Sequence, residues 1–238
     1  MVAQVSIKHG AFSGAPRNSE NSDGEIVAVI LRASPTAKVY YQEAYSPDTQ
    51  RSPTCWTLDT TSPSDTVPKE DRQSYTCIDC PHNIKGSAAN GGKSCRFLHL
   101  LALVFPDDLS KVYRIQIPTA SIFGKTFDGK MPLREYSKVL DMNEMDSHRL
   151  YTRLYFDETS DTPRVCFAPH RALSIEELNT VEKTLGSDPV LSAISVENFV
   201  SEAYSGSPFE IAGGGFTATD RSDQPEQIKL SFEENQKI

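Results

Sequence analysis

The stretch Arg96-Phe-Leu-His-Leu-Leu-Ala-Leu-Val-Phe105-Pro-Asp-Asp-Leu-Ser110-Lys-Val-Tyr-Arg-Ile-Gln-Ile117 decides the fold class. Residues 96–105 are nearly all apolar, whereas 111–117 alternate, with Tyr113, Ile115 and Ile117 on one side and Arg114 and Gln116 on the other. Turn-forming residues 106–110 separate them, so the stretch predicts an antiparallel hairpin. Upstream, Ile26-Val-Ala-Val-Ile-Leu31 and Lys38-Val-Tyr-Tyr41 flank Ser34-Pro35-Thr36 and read as a second hairpin. Downstream, Leu150-Tyr-Thr-Arg-Leu-Tyr-Phe156 and Arg164-Val-Cys-Phe-Ala168 read as a third. There Leu150, Leu154 and Phe156 are expected to point inward, with Tyr151, Arg153 and Tyr155 on the opposite face. Between the pair at 96–117 and the pair at 150–168, Leu133, Tyr136, Val139 and Leu140 recur at helical spacing after Pro132. Five or six short strands with a helix predict a mainly β protein of the α+β class, an OB-fold-like Greek-key barrel.

That barrel is expected over residues 25–172, within a chain of 238 residues long enough for one domain with appendages. Residues 1–24, rich in Gly, Ser, Asn and Pro, read as a flexible arm. A polar loop at 46–95, broken by eight prolines and glycines, is inserted in the barrel and is too long to stand without a reason of its own. Helices are expected within 173–205, the first capped by Ser174 with Glu177 completing a capping box. Residues 206–238, including Gly213-Gly-Gly215, read as a flexible acidic tail. No run of about 18 apolar residues predicts a membrane span, and the first residues lack a signal-peptide pattern, so a soluble cytoplasmic protein is expected.

The formal net charge is −8, which on its face argues against a polyanionic partner. Its distribution weakens that argument. Residues 1–140 hold 16 basic against 14 acidic residues, and 141–238 hold 8 against 18. Within 85–138 the balance is 9 basic to 4 acidic, which reads as an anion-binding body with an acidic appendage.

Four of the five cysteines crowd into the polar loop as Cys55, Cys77, Cys80 and Cys95, while Cys166 lies in a predicted strand. A Cys-x-x-Cys turn lets two thiolates meet one ion, and two further thiols complete the tetrahedral set of a structural zinc site. Free thiols, a redox dithiol or an iron–sulfur cluster are the alternatives, and His82 is a reserve ligand. Lys85, Lys93 and Arg96 stand close enough in sequence to offset the charge of the thiolates. Four cysteines leave a zinc ion no open position for catalysis. The chain also lacks the phosphate-loop, nucleophile-elbow, His-Glu-x-x-His and zinc-deaminase patterns, so no enzyme is expected.

The segments Ser52-Pro-Thr-Cys-Trp-Thr-Leu-Asp59, Cys77-Ile-Asp-Cys-Pro-His-Asn-Ile-Lys-Gly-Ser87, Gly91-Gly-Lys-Ser-Cys-Arg96 and Tyr113-Arg-Ile-Gln-Ile-Pro-Thr-Ala-Ser121 resemble a tailed-phage family of single-stranded DNA-binding-like proteins with a four-cysteine zinc knuckle. Asp59 is followed by Thr60 where that pattern carries glycine, and the end of the chain lacks a dense acidic run. The resemblance implies sequence-independent binding of single-stranded DNA in replication or recombination, in the cytoplasm of an infected host cell and without a membrane. Phage replication or transcription proteins would be further partners. Such binding needs aromatic faces for bases and cations for phosphates. The candidates are Tyr40, Trp56, Tyr151 and Tyr155 for the former, and Arg32, Lys38, Lys85, Lys93, Arg96, Arg114, Lys125 and Arg153 for the latter. The alternative is a protein-interaction or transcription-regulatory module that docks through the zinc-stabilised loop.

Overall fold

A computed structural model describes residues 2–204 apart from 9, 18–19, 23, 43–51, 90 and 161. The expected tail at 206–238 therefore lies outside the described residues, as do 46–51 and 90 of the loop. Strands β1 (Ala3–Lys8), β2 (Ala11–Ser13), β3 (Glu25–Ala33), β4 (Ala37–Tyr40), β5 (Cys55–Thr57) and β6 (Arg96–Leu98) come first, followed by β7 (Leu100–Phe105), β8 (Asp108–Gln116), β9 (Leu150–Phe156) and β10 (Val165–Ala172). Helices α1 (Thr119–Ile122) and α2 (Leu133–Met142) lie between β8 and β9; α3 (Ile175–Leu185), α4 (Asp188–Ile194) and α5 (Val196–Tyr204) follow β10. Seven strands, in the order β10-β9-β3-β7-β8-β1-β2, form a strongly curled, mixed half-barrel sheet, and β5-β4-β6 form a small second sheet.

The α+β class is as expected, but the large sheet has more strands than a small barrel and ends on two edges, β10 and β2. The extra strands come from the segment read as a flexible arm. Val5 and Ile7 alternate inward, and β1 lies parallel to β8 with Val5 opposite Ile115. Gly14, at φ +85, lets the chain leave β2 against β1, because a Cβ there would meet the Gln4 carbonyl oxygen at 2.3 Å.

Both faces of the large sheet are covered, which is why β3 and β7 read as unbroken apolar runs. Ile26, Ala28 and Ile30 join Leu101, Leu103, Leu154 and the α2 residues Tyr136 and Leu140 in one core. Val27, Val29 and Leu31 point the other way, onto Val181 of α3 and Val190 and Ala193 of α4. The capping box at Ser174 and Glu177 starts α3 as the sequence predicts. No helix among the described residues is long and apolar enough to cross a membrane.

One predicted pairing and one predicted strand differ, while the hairpins β7–β8 and β9–β10 form as expected. The run 26–31 and the run 38–41 are not a hairpin: β3 pairs with β7 and β9, and β4 pairs with β5 and β6. Likewise the run 96–105 breaks at His99 into β6 of the small sheet and β7 of the large one. The two segments, 33–37 and 98–100, pass from sheet to sheet together. They are pinned there by the Ser34 amide donating to the Leu100 carbonyl (2.8 Å) and the Leu100 amide donating to Ser34 Oγ (2.9 Å). A third core joins the small sheet to α5, through Val39, Trp56, Val67, Leu98, Leu100, Val196, Phe199 and Val200.

Candidate metal centre and the surface of its loop

Cys55 opens β5 opposite Tyr40, and Cys95 directly precedes β6, so these two thiols flank the middle strand β4. The turn 77–80 is brought over that strand by local hydrogen bonds. The Cys77 amide donates to the Thr61 carbonyl (2.8 Å), the Asn83 amide to the Cys80 carbonyl (2.9 Å) and the Cys95 amide to the His82 carbonyl (2.8 Å). Asn83 Nδ2 donates to the Cys77 carbonyl at 2.8 Å. Cys55, Cys77, Cys80 and Cys95 consequently line one cavity, together with Lys38, Tyr40 and Asn83. Cys166 is elsewhere, fully buried on β10.

Burial raises Cys55 and Cys77 above the ordinary thiol range and pushes Cys95 up to about 12, and neighbouring thiols of the cluster add to each shift. Without a cation such thiols stay protonated at neutral pH; a bound metal reverses this by taking the thiolates as ligands. No three His, Cys, Asp or Glu among the described residues close into a ligand group. The donor chemistry nevertheless suits a tetrahedral, thiolate-bound ion, since four soft ligands from three segments face one space. His82 is turned to other uses. Its ring stacks on Tyr40 at 3.9 Å between centroids, and its Nε2 lies 3.2 Å from Gln73 Oε1.

The predicted nucleic-acid residues do not form one surface. Trp56 is buried in the small sheet's core, Tyr40 is buried at the cysteine cavity, and Tyr151 is 0% exposed, with its hydroxyl donating to Glu177 Oε1 and Arg171 stacked over its ring. Tyr151 does lie on the face opposite Leu150 and Leu154, but α3 and α4 cover that face. Arg114 is likewise buried. Its guanidinium donates to the Ser192 and Ala193 carbonyls of α4 and to both carboxylate oxygens of Glu202 on α5. Lys38 is buried in the cysteine cavity. Arg153 is exposed, but both Nε and Nη2 donate to Glu25, and the half-buried Tyr155 lies beneath it. Arg32 is half-buried, and Lys125 is exposed far along the chain from the cysteines.

Lys85, Lys93 and Arg96 are exposed on the loop itself, in a stretch from 81 to 96 that carries no acidic residue. Three apolar residues beside the cysteines, absent from the sequence candidates, share this loop: Tyr75 is 98% exposed, Ile78 78% and Ile84 57%. The available signal is an apolar residue stranded in a polar, aperiodic stretch with no predicted core to enter. Comparison with family models, with curated proteins and with solved structures finds no match for this chain.

Proposed function

We propose that this is a zinc-stabilised single-stranded DNA-binding protein whose binding surface is the outside of the cysteine loop. It is a binding module without catalytic chemistry, acting in the cytoplasm of an infected host cell in phage DNA replication or recombination. The observation that carries this reading is that one stretch of chain gathers four thiols around a cavity while leaving Tyr75, Lys85, Lys93 and Arg96 all exposed along it. Zinc would hold the loop through Cys55, Cys77, Cys80 and Cys95, an exposed ring offers a face to a base, and the cations attract phosphates. The OB-like part of the reading rests on the antiparallel strands β3, β7, β8, β9 and β10 alone.

Fluorescence anisotropy with a labelled oligonucleotide of about 30 nucleotides, a few site sizes long, tests it. Binding should weaken as salt rises, because phosphate contacts release counterions. Tyr75→Ala should cost about 1–3 kcal/mol, the range for one stacked base. Absence of binding at low salt overturns the DNA reading. A second reading, a protein-docking module, is favoured by the exposure of Ile78 and Ile84, since exposed aliphatic side chains grouped on one loop serve contact with another protein.

A further inference from the structure

Lys38 lies on the middle strand at the cysteine cavity, and it is only 7% exposed. Its Nζ donates to Asn83 Oδ1 at 3.0 Å and lies 4.9 Å from the centroid of the Phe97 ring. An amide oxygen and a ring face do not neutralise an ammonium, and an unpaired charge taken out of water is strongly disfavoured. Buried lysines are accordingly almost always paired. Among the described residues no carboxylate makes an ion pair with Lys38. The groups around it that can become anions are the thiols of Cys77, Cys80 and Cys95, and the other charge acting on it is a cation, Lys93.

We propose that Lys38 is the built-in counter-cation of a four-thiolate metal centre, held over the cavity by Asn83, which also binds the Cys77 carbonyl. This rests on the zinc reading above and adds to it. Four thiolates and one divalent ion carry a net charge of about −2, and the buried ammonium offsets part of that charge from inside, where water screens least. The sequence candidates for that task, Lys85, Lys93 and Arg96, are exposed, and their charges are correspondingly better screened. Lys38 is thus a positioning and charge-balancing residue and not a ligand.

The test uses the full chain as wild type, Lys38→Met and Lys38→Arg, with zinc affinity measured by competition against a chromophoric chelator. Lys38→Met should bind zinc about 10–100-fold more weakly, the usual cost of losing a partner just outside the ligand shell. Lys38→Arg, which keeps the charge, should recover most of that loss. The melting temperature of metal-stripped Lys38→Met should not fall below that of metal-stripped wild type, because without metal-bound thiolates the ammonium has no anion to balance. Equal zinc affinity in wild type and Lys38→Met overturns the role of the lysine while leaving the metal centre standing. Equal losses in Met and Arg variants, or a lower melting temperature for metal-stripped Lys38→Met, mean that side-chain shape and not charge is at work, and overturn it too. Wild type that takes up no zinc overturns the metal reading and this role together.

Discussion

His99 sits where one chain crosses between the two sheets, and it is fully buried with neither ring nitrogen hydrogen-bonded among the described residues. Burial pushes its pKa down to about 4, below the 6.5 of an exposed imidazole. The native state therefore binds fewer protons than the unfolded chain between those values. Stability is fully present above about pH 6.5 and is lost as pH falls toward 4, by about 3 kcal/mol at about 1.4 kcal/mol per unit. Urea unfolding of wild type and His99→Leu at pH 7 and pH 4.5 checks this: the variant should lose markedly less stability on acidification. The same scale shows where sequence reading stops. The alternation of β9 put Tyr151 on the correct face, and that of β8 put Arg114 opposite Tyr113 and Ile115, but alternation cannot reveal that helices far along the chain cover those faces. Both residues were read as surface groups for that reason. That Cys55, Cys77, Cys80 and Cys95 come to line one cavity was legible, because a Cys-x-x-Cys turn flanked by two further thiols is spaced to bring four sulfurs together.

At the scale of elements, the strands were mostly legible and their partners were not. A strand's apolar pattern fixes which side chains are buried, yet partner choice depends on contacts distant in sequence. Hence β3 and β4 looked like a hairpin, although Ser34-Pro35-Thr36 carries the chain from one sheet to the other. The β1 pattern of Ala3, Val5 and Ile7 was present but was outweighed by the Ser, Gly and Pro around it. Helix α4, seven residues opening on Asp188-Pro189, was too short to show a period. Gly14 holds the β1–β2 corner at a φ that side chains rarely adopt, and a methyl group there collides with the Gln4 carbonyl. Gly14→Ala should cost about 1–3 kcal/mol. Hydrogen exchange should show the amides of Val5 and Ile7 losing protection before those of β3 and β7.

For the whole molecule, three cores divide the labour: two lie on either face of the curled sheet, and one joins the small sheet to α5. If zinc organises the cysteine loop, its removal should release the third core and leave the first two folded. Trp56, the single tryptophan, belongs to that third core and so reports on it alone. A strong chelator should shift Trp56 emission to longer wavelength while far-ultraviolet circular dichroism keeps most of its strand signal. Loss of both signals together would mean that the protein unfolds as one unit and that the small sheet has no separate stability.

The position of α5 also sets a timetable. The small sheet is complete in sequence once Leu98 has been made, but Val196, Phe199 and Val200 close its core, and these emerge from the ribosome only after every strand of the large sheet. Likewise Arg114 waits for Ser192, Ala193 and Glu202. During synthesis the small sheet is therefore presented to the cell with its apolar core uncovered, and that core is closed by the last helix to be translated among the described residues. A ribosome that stalls before residue 196 leaves Trp56 and the apolar core around it uncovered, a nascent chain open to chaperone capture in a way the finished protein is not.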